Sequence, residues 1–123
     1  MTLIEFAERY KVKIRKDSCD DPIVAGRVKW AKHLEDNHNV FEADGEFYVY
    51  FNFLTVGKWN NVRKKLIEKG AKPYITCEVD GYLSFDPENA ELVKLILRLA
   101  KIRTKRQLTP EQKAAVRARF TKT

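Results

Sequence analysis

Two Asp-Gly dipeptides, Asp44-Gly45 and Asp80-Gly81, stand 36 residues apart, each inside a β-rich run and each followed by a helical pattern. An Asp-Gly pair between apolar runs is a strong hairpin signal, because both residues tolerate the positive φ that a tight two-residue turn demands. The first run, NVFEADGEFYVYFNF, leads into TVGKWNNVRKKLIEKG, where Val56, Trp59, Val62 and Leu66 make an apolar side and Gly70 follows the last turn. The second, YITCEVDGYLSFD, leads into PENAELVKLILRLAKI, with Asp86 as cap and Pro87 at the first helical position, where a missing N–H costs nothing. The expected fold class is therefore α+β: one antiparallel sheet built from two ββα units with helices on one face. A two-residue turn at Asp80-Gly81 would oppose Val79 to Tyr82 and set Leu83 and Phe85 on the other face with Thr76 and Glu78; a longer loop or a bulge would change that register.

The segments around this repeat are simpler. Thr2 and Glu5 form a capping-box pattern, and Leu3, Phe6, Ala7 and Tyr10 recur at helical spacing, which predicts a short N-terminal helix. In RYKVKIRK the apolar Tyr10, Val12 and Ile14 alternate with Lys11, Lys13 and Arg15, the pattern of a half-buried strand with a cationic outer face. Such a row of cations also suits an edge strand guarded against aggregation. KDSCDDPIVAG reads as a loop, and VKWAKHLEDNH as an ambiguous stretch with a short helix. A last helix starts at Thr109-Pro110-Glu111-Gln112, with Thr as cap and Pro at the first position, and has only Val116, Phe120 and alanines to anchor it. The domain organisation expected is a single α+β domain over 1–103 and a basic helical appendage over 104–123.

Charge is distributed very unevenly. Of the net +7, the stretch from Arg98 to Thr123 carries +8, with nine cations against Glu111, while the other 97 residues hold 15 cations and 16 acids. A near-neutral body with a cationic end points to an anionic partner, nucleic acid being the commonest. Lys94, Arg98 and Lys101 fall at i, i+4 and i+7, a cationic stripe opposite the apolar arc of Leu92, Val93, Ile96, Leu97, Leu99 and Ala100. Five cations between Arg98 and Arg106 exceed what one helix C-terminus requires electrostatically. The strand EFYVYFNF adds Tyr48 and Tyr50 on one face; if that face is open, the pair could stack unpaired bases or anchor a protein, and if the strand is central it is packed on both sides.

Several classes of chemistry find no support. The five glycines are scattered, with no phosphate loop, and Ser18 and Ser84 sit in no nucleophile elbow. Asp20, Asp21, Glu35 and Asp36 near Lys32 could converge as a metal-dependent nuclease would require, but solvated loop acids explain them more simply. Cys19, Cys77, His33 and His38 have no metal or redox spacing, so no cofactor and no metal are expected and both thiols should be free. No run approaches the roughly 20 apolar residues of a membrane span, and the opening MTLIEFAERY lacks a basic leader, so a cytoplasmic location is expected.

The opening TLIEFAERYKVKIRKDSCDDPIVAGR and the closing EKGAKPYITCEVDGYLSFDPENAELVKLILRLAKIRTKRQLTPEQKAAVRARF resemble a group of small proteins of bacteriophages and bacterial genomes. Members of that group begin with a TL..FA helix and a basic segment, carry an acid-rich bend before a PI..G turn that ends on a cation, and close on an FDP helix running into basic residues. The tyrosine-rich hairpin departs from their pattern. The resemblance implies a phage or prophage setting in a bacterial host cell and transfers no activity and no catalytic residue.

The expected function is that of a small non-enzymatic nucleic-acid-binding protein, with DNA ahead of RNA as partner. Arg98, Lys101, Arg103, Lys105 and Arg106 would contact phosphates, Lys113 and Arg117 would extend the contact, and Lys11, Lys13 and Arg15 would form a second patch. The competing expectation is a phage-encoded inhibitor of a host or defence-system protein, anchored through Tyr48, Tyr50 and Phe120. A third is a homodimer closed by Val116 and Phe120.

Overall fold

A computed structural model describes residues 1–28 and 30–104 of the chain. Within them, helices α1 (Leu3–Tyr10), α2 (Val56–Glu68) and α3 (Ala90–Leu99) pack on one face of an antiparallel sheet. The strands are β1 (Arg15–Lys16), β2 (Pro22–Ala25), β3 (Asn39–Ala43), β4 (Glu46–Asn52), β5 (Lys72–Thr76) and β6 (Asp80–Phe85), in the order β1-β2-β3-β4-β6-β5. The class is the expected α+β, and the two ββα units meet through β4 and β6, their second strands. Among the described residues no helix is long and apolar enough to cross a membrane.

Alternation along β4 builds the core. Phe47, Val49 and Phe51 are buried and face the helices, while Tyr48, Tyr50 and Asn52 point the other way. Phe6 of α1 packs on Phe47 at 5.2 Å between ring centroids, with the rings tilted, and Trp59 of α2 lies 6.1 Å from Phe51. Leu92, Val93, Ile96 and Leu97 bring α3 down on the same layer. The Thr2 hydroxyl caps α1 by accepting the Glu5 N–H at 3.2 Å, as the Thr-x-x-Glu spacing predicts.

The first Asp-Gly pair is the turn it was expected to be: Ala43 opposes Glu46, and Asp44 and Gly45 take φ of 53° and 80°. The second is not. Thr76 pairs with Gly81 and the Cys77 N–H reaches the Asp80 carbonyl at 2.8 Å, so the chain turns through Cys77–Asp80 and Gly81 lies inside β6. Packing explains the shift. A Cβ on Gly81 would stand 2.7 Å from the Trp59 ring and 2.5 Å from the Ile75 carbonyl oxygen, so this glycine serves the close approach of Trp59 and not a turn. Leu83 and Phe85 remain on one face, buried in the core, and Tyr82 joins Tyr50 on the other.

Other expectations need correction. α3 starts at Ala90 with Asn89 as cap, because the Asp86 carboxylate instead accepts the Glu88 N–H in a turn that holds Pro87 ahead of the helix. Val56, expected on the apolar side of α2, is 43% exposed in its first turn. The expected loop holds β2, with Ile23 and Val24 buried. The strand expected over residues 10–16 shrinks to β1, because α1 runs through Tyr10 and Lys11 ends it in the left-handed conformation. Residues 105–123, where the final helix is expected, lie outside the described residues.

His38 is buried against the stacked rings of Phe51 and Phe53, at 5.3 Å and 4.6 Å, and its Nδ1 accepts the Asn52 N–H at 3.0 Å. Burial, helped by the charges of Lys101 and Lys58, lowers its pKa to about 4. The folded form thus takes up the proton less readily than the unfolded chain, whose histidine titrates near its ordinary value of about 6.5. Stability should be flat in this group above that pH and fall as pH drops below it, by ~2 kcal/mol between about pH 6.5 and 5. Urea midpoints across that window should decline for the wild type and decline much less for His38→Gln; equal slopes would assign the acid sensitivity to other groups.

Candidate functional site

Helices α1 and α3 end side by side and in the same manner. In each, a lysine takes the left-handed conformation, Lys11 and Lys101 both at φ 56°. The next N–H reaches back five residues, Val12 to the Ala7 carbonyl and Ile102 to the Leu97 carbonyl, both at 3.0 Å. This six-to-one closure satisfies orphan carbonyls and swings the chain away from the helix, with Val12 and Ile102 inserted into the core. Val12 then bridges Thr104, so the two departing segments run antiparallel.

A third segment is pressed against them at Gly26. Its N–H donates to the His38 carbonyl at 2.7 Å, and a Cβ on it would stand 1.8 Å from the Ala100 carbonyl oxygen. Only glycine permits so close a contact between the end of β2 and the last turn of α3. The contact sets Arg27 beside Lys101. Three separate parts of the chain therefore bring Lys13, Arg15, Arg27, Lys101 and Arg103 around one cleft of about 270 Å³, with Ala25, Ile102 and Thr104. Among the described residues no carboxylate lines it.

These cations are not engaged by acids of the described chain. The ion pairs among the described residues are Arg9 with Glu88, Lys16 with Asp20 and Lys69 with Glu91, all on the surface. The carbonyl ends of α1 and α3 attract positive charge, but two helix ends do not require five cations from three segments.

Lys101 stands where glycine is the usual residue, and a lysine in left-handed backbone costs about 1 kcal/mol relative to glycine. Lys101→Gly should therefore raise the unfolding free energy by ~1 kcal/mol while weakening any anion held in the cleft. A urea titration paired with a binding titration checks this; a variant that loses stability, or keeps full binding, contradicts it.

The sequence-predicted residues divide. Lys13, Arg15, Lys101 and Arg103 come together in the cleft. Arg98 and Lys94 are exposed on α3 outside it, and Lys11 is exposed at the end of α1. The helical stripe of Lys94, Arg98 and Lys101 is broken, because α3 ends at Leu99 and Lys101 has left the helix. Lys105, Arg106, Lys113, Arg117 and Phe120 lie outside the described residues. Arg27 was not anticipated as a binding residue; its signal is the Gly26-Arg27 pair that closes PIVAGR.

Tyr48 and Tyr50 occupy a second surface. Among the described residues no helix covers the far side of the sheet, and there Tyr48 and Tyr50 are half-buried. There Phe41 stacks on Tyr48 at 5.5 Å between ring centroids, while Tyr74 meets Tyr48 at 5.0 Å and Tyr82 meets Tyr50 at 4.9 Å with the rings tilted. The Tyr48 hydroxyl donates to Glu46 and the Tyr50 hydroxyl to Asp80, each at 3.0 Å. Burial and the Asp80 carboxylate push the Tyr50 phenol far above its ordinary range. Both cysteines are free and exposed, and among the described residues no cluster of His, Cys, Asp or Glu is arranged to hold a metal ion. No protein-family model, curated protein or solved structure matches the chain.

Proposed function

We propose that the protein binds nucleic acid by gripping the phosphate backbone in the cleft of Lys13, Arg15, Arg27, Lys101 and Arg103. One observation carries this reading: among the described residues, five cations from three segments and no carboxylate line a single cleft, and none of the five is in an ion pair. Guanidinium groups match phosphate oxygens in bidentate fashion, and the two lysines add point charges. Such contacts give affinity and position and little base preference. The basic residues beyond Thr104 would lengthen the contact, and the resemblance to phage and prophage proteins makes DNA the first partner to test. In this reading the protein performs no catalysis.

Labelled duplex and single-stranded DNA, titrated at low and at moderate salt, test the proposal. Binding at low salt that weakens steeply as salt rises supports it, because each neutralised phosphate releases counterions. Absence of binding to both forms at low salt overturns it.

A further inference from the structure

The far face of the sheet has a chemistry opposite to that of the cleft. Cross-strand pairing sets Phe41, Tyr48, Tyr50 and Tyr82 on it, and the bulge between Pro73 and Ile75 adds Tyr74, 62% exposed, and Ile75, 47% exposed. Phe41, Tyr48, Tyr50 and Tyr82 are half-buried against one another, and among the described residues no helix covers them; a contiguous aromatic patch of this kind marks an interaction surface. Its margin is acidic. Glu46 and Asp80 hold two of the tyrosine hydroxyls. Asp17, Asp21 and Glu35 share a pocket of about 440 Å³ with Phe41 and Tyr82 on the β2 side. Register places two cations at its edges, Lys72 opposite Ser84 and Arg15 opposite Ile23.

We propose that this face docks a basic polypeptide, a partner segment whose arginines or lysines lie across Tyr48, Tyr50, Tyr74 and Tyr82 with their charges toward Glu46 and Asp80. Charge complementarity selects this occupant over the others. Bases stacked on the tyrosines would carry their phosphates past Glu46 and Asp80, where like charges repel. Two copies meeting face to face would set the same carboxylates against each other. Strand addition at β5 is blocked by Pro73, which has no N–H to donate, by the bulge and by Lys72, all devices that blunt an edge. A guanidinium gains on all counts, because it stacks on tyrosine rings and pairs with carboxylates. Tyrosine-centred patches are where binding energy concentrates.

The face adjoins the cleft at Arg15, and the proposal is tested separately from the cleft. A labelled oligoarginine peptide is titrated at low salt against the wild type, Tyr74→Ala, and the double variant Glu46→Gln with Asp80→Asn. Tyr74 and Glu46 are exposed and Asp80→Asn keeps an acceptor for Tyr50, so each variant should retain the fold, which circular dichroism verifies. Saturable binding is expected, weakened about tenfold in each variant, with DNA affinity in the cleft unchanged in Tyr74→Ala and, in the double variant, raised at most a few-fold by the gain of two in net charge. Absence of peptide binding, or binding that neither variant weakens, overturns the proposal. A concentration-dependent dimer of the wild type, abolished by Tyr74→Ala, would overturn it in favour of a second copy as the occupant.

Discussion

Gly26→Ala should destabilise the folded state severely. The added methyl would lie 1.8 Å from the Ala100 carbonyl oxygen and 3.0 Å from its carbon, with the His38 carbonyl 3.4 Å away on another side. These are backbone atoms, so no side-chain rotation relieves the contact. β2 is held through its pairing with β3, and Ala100 through its hydrogen bond to the Ile96 carbonyl at 2.8 Å. Overpacking that side chains can absorb costs about 1–3 kcal/mol; a backbone collision should exceed that range and lower the melting temperature by ~10 °C or more. Any protein that does fold must push residues 100–104 away from Arg27, so its cleft is opened and its DNA binding lost. The control is the same substitution at Gly57, in the second position of α2, where a Cβ meets nothing within 4 Å. There alanine should raise stability by up to about 1 kcal/mol. Thermal melts of the two variants, run together, would contradict the account if Gly26→Ala melted with the wild type.

The second large effect concerns binding. Replacing Lys13, Arg27 and Arg103 by alanine takes one cation from each of the three segments that meet at the cleft. All three are exposed, and none is in an ion pair among the described residues, so the fold should survive. With each phosphate contact contributing about 1 kcal/mol or more, DNA affinity at low salt should fall ~100-fold. Removing the same number of cations from outside the cleft, by Lys64→Ala, Lys65→Ala and Lys94→Ala, lowers the net charge equally and should weaken binding by only about twofold to fivefold through the general field. Equal losses in the two triple variants would mean that total charge, and not the cleft, holds the ligand.

Much of the scaffold was legible because its signals are local. The cap at Thr2, the spacing of Trp59, Val62 and Leu66, and the Asp44-Gly45 turn each act within a few residues, and the structure forms each of them. The same reasoning failed at Asp80-Gly81, where an identical dipeptide is selected by the ring of Trp59 from a different element. The strand expected over 10–16 was shortened for a related reason: Val12 pairs with Thr104, far away in sequence, instead of with its nearer neighbours. The cleft was half legible. Lys13, Arg15, Lys101 and Arg103 are in cation-rich runs that composition reveals, whereas Arg27 is a lone cation in a turn and becomes a binding candidate only when Gly26 meets Ala100. The tyrosine face could be read as alternation but not as the side away from the helices, because which side of a strand α1, α2 and α3 cover is decided by the whole fold.

The most direct test of the central claim is the salt dependence of duplex DNA binding, measured for the wild type and for the variant lacking Lys13, Arg27 and Arg103. If these side chains neutralise phosphates, the logarithm of affinity should fall linearly with the logarithm of salt concentration, with a wild-type slope of about −4 or steeper. In the variant the slope should be shallower by about 3, close to one for each cation removed. Slopes that coincide in the two proteins would contradict the account, since the cleft would then release no counterions and the phosphate backbone would be held elsewhere.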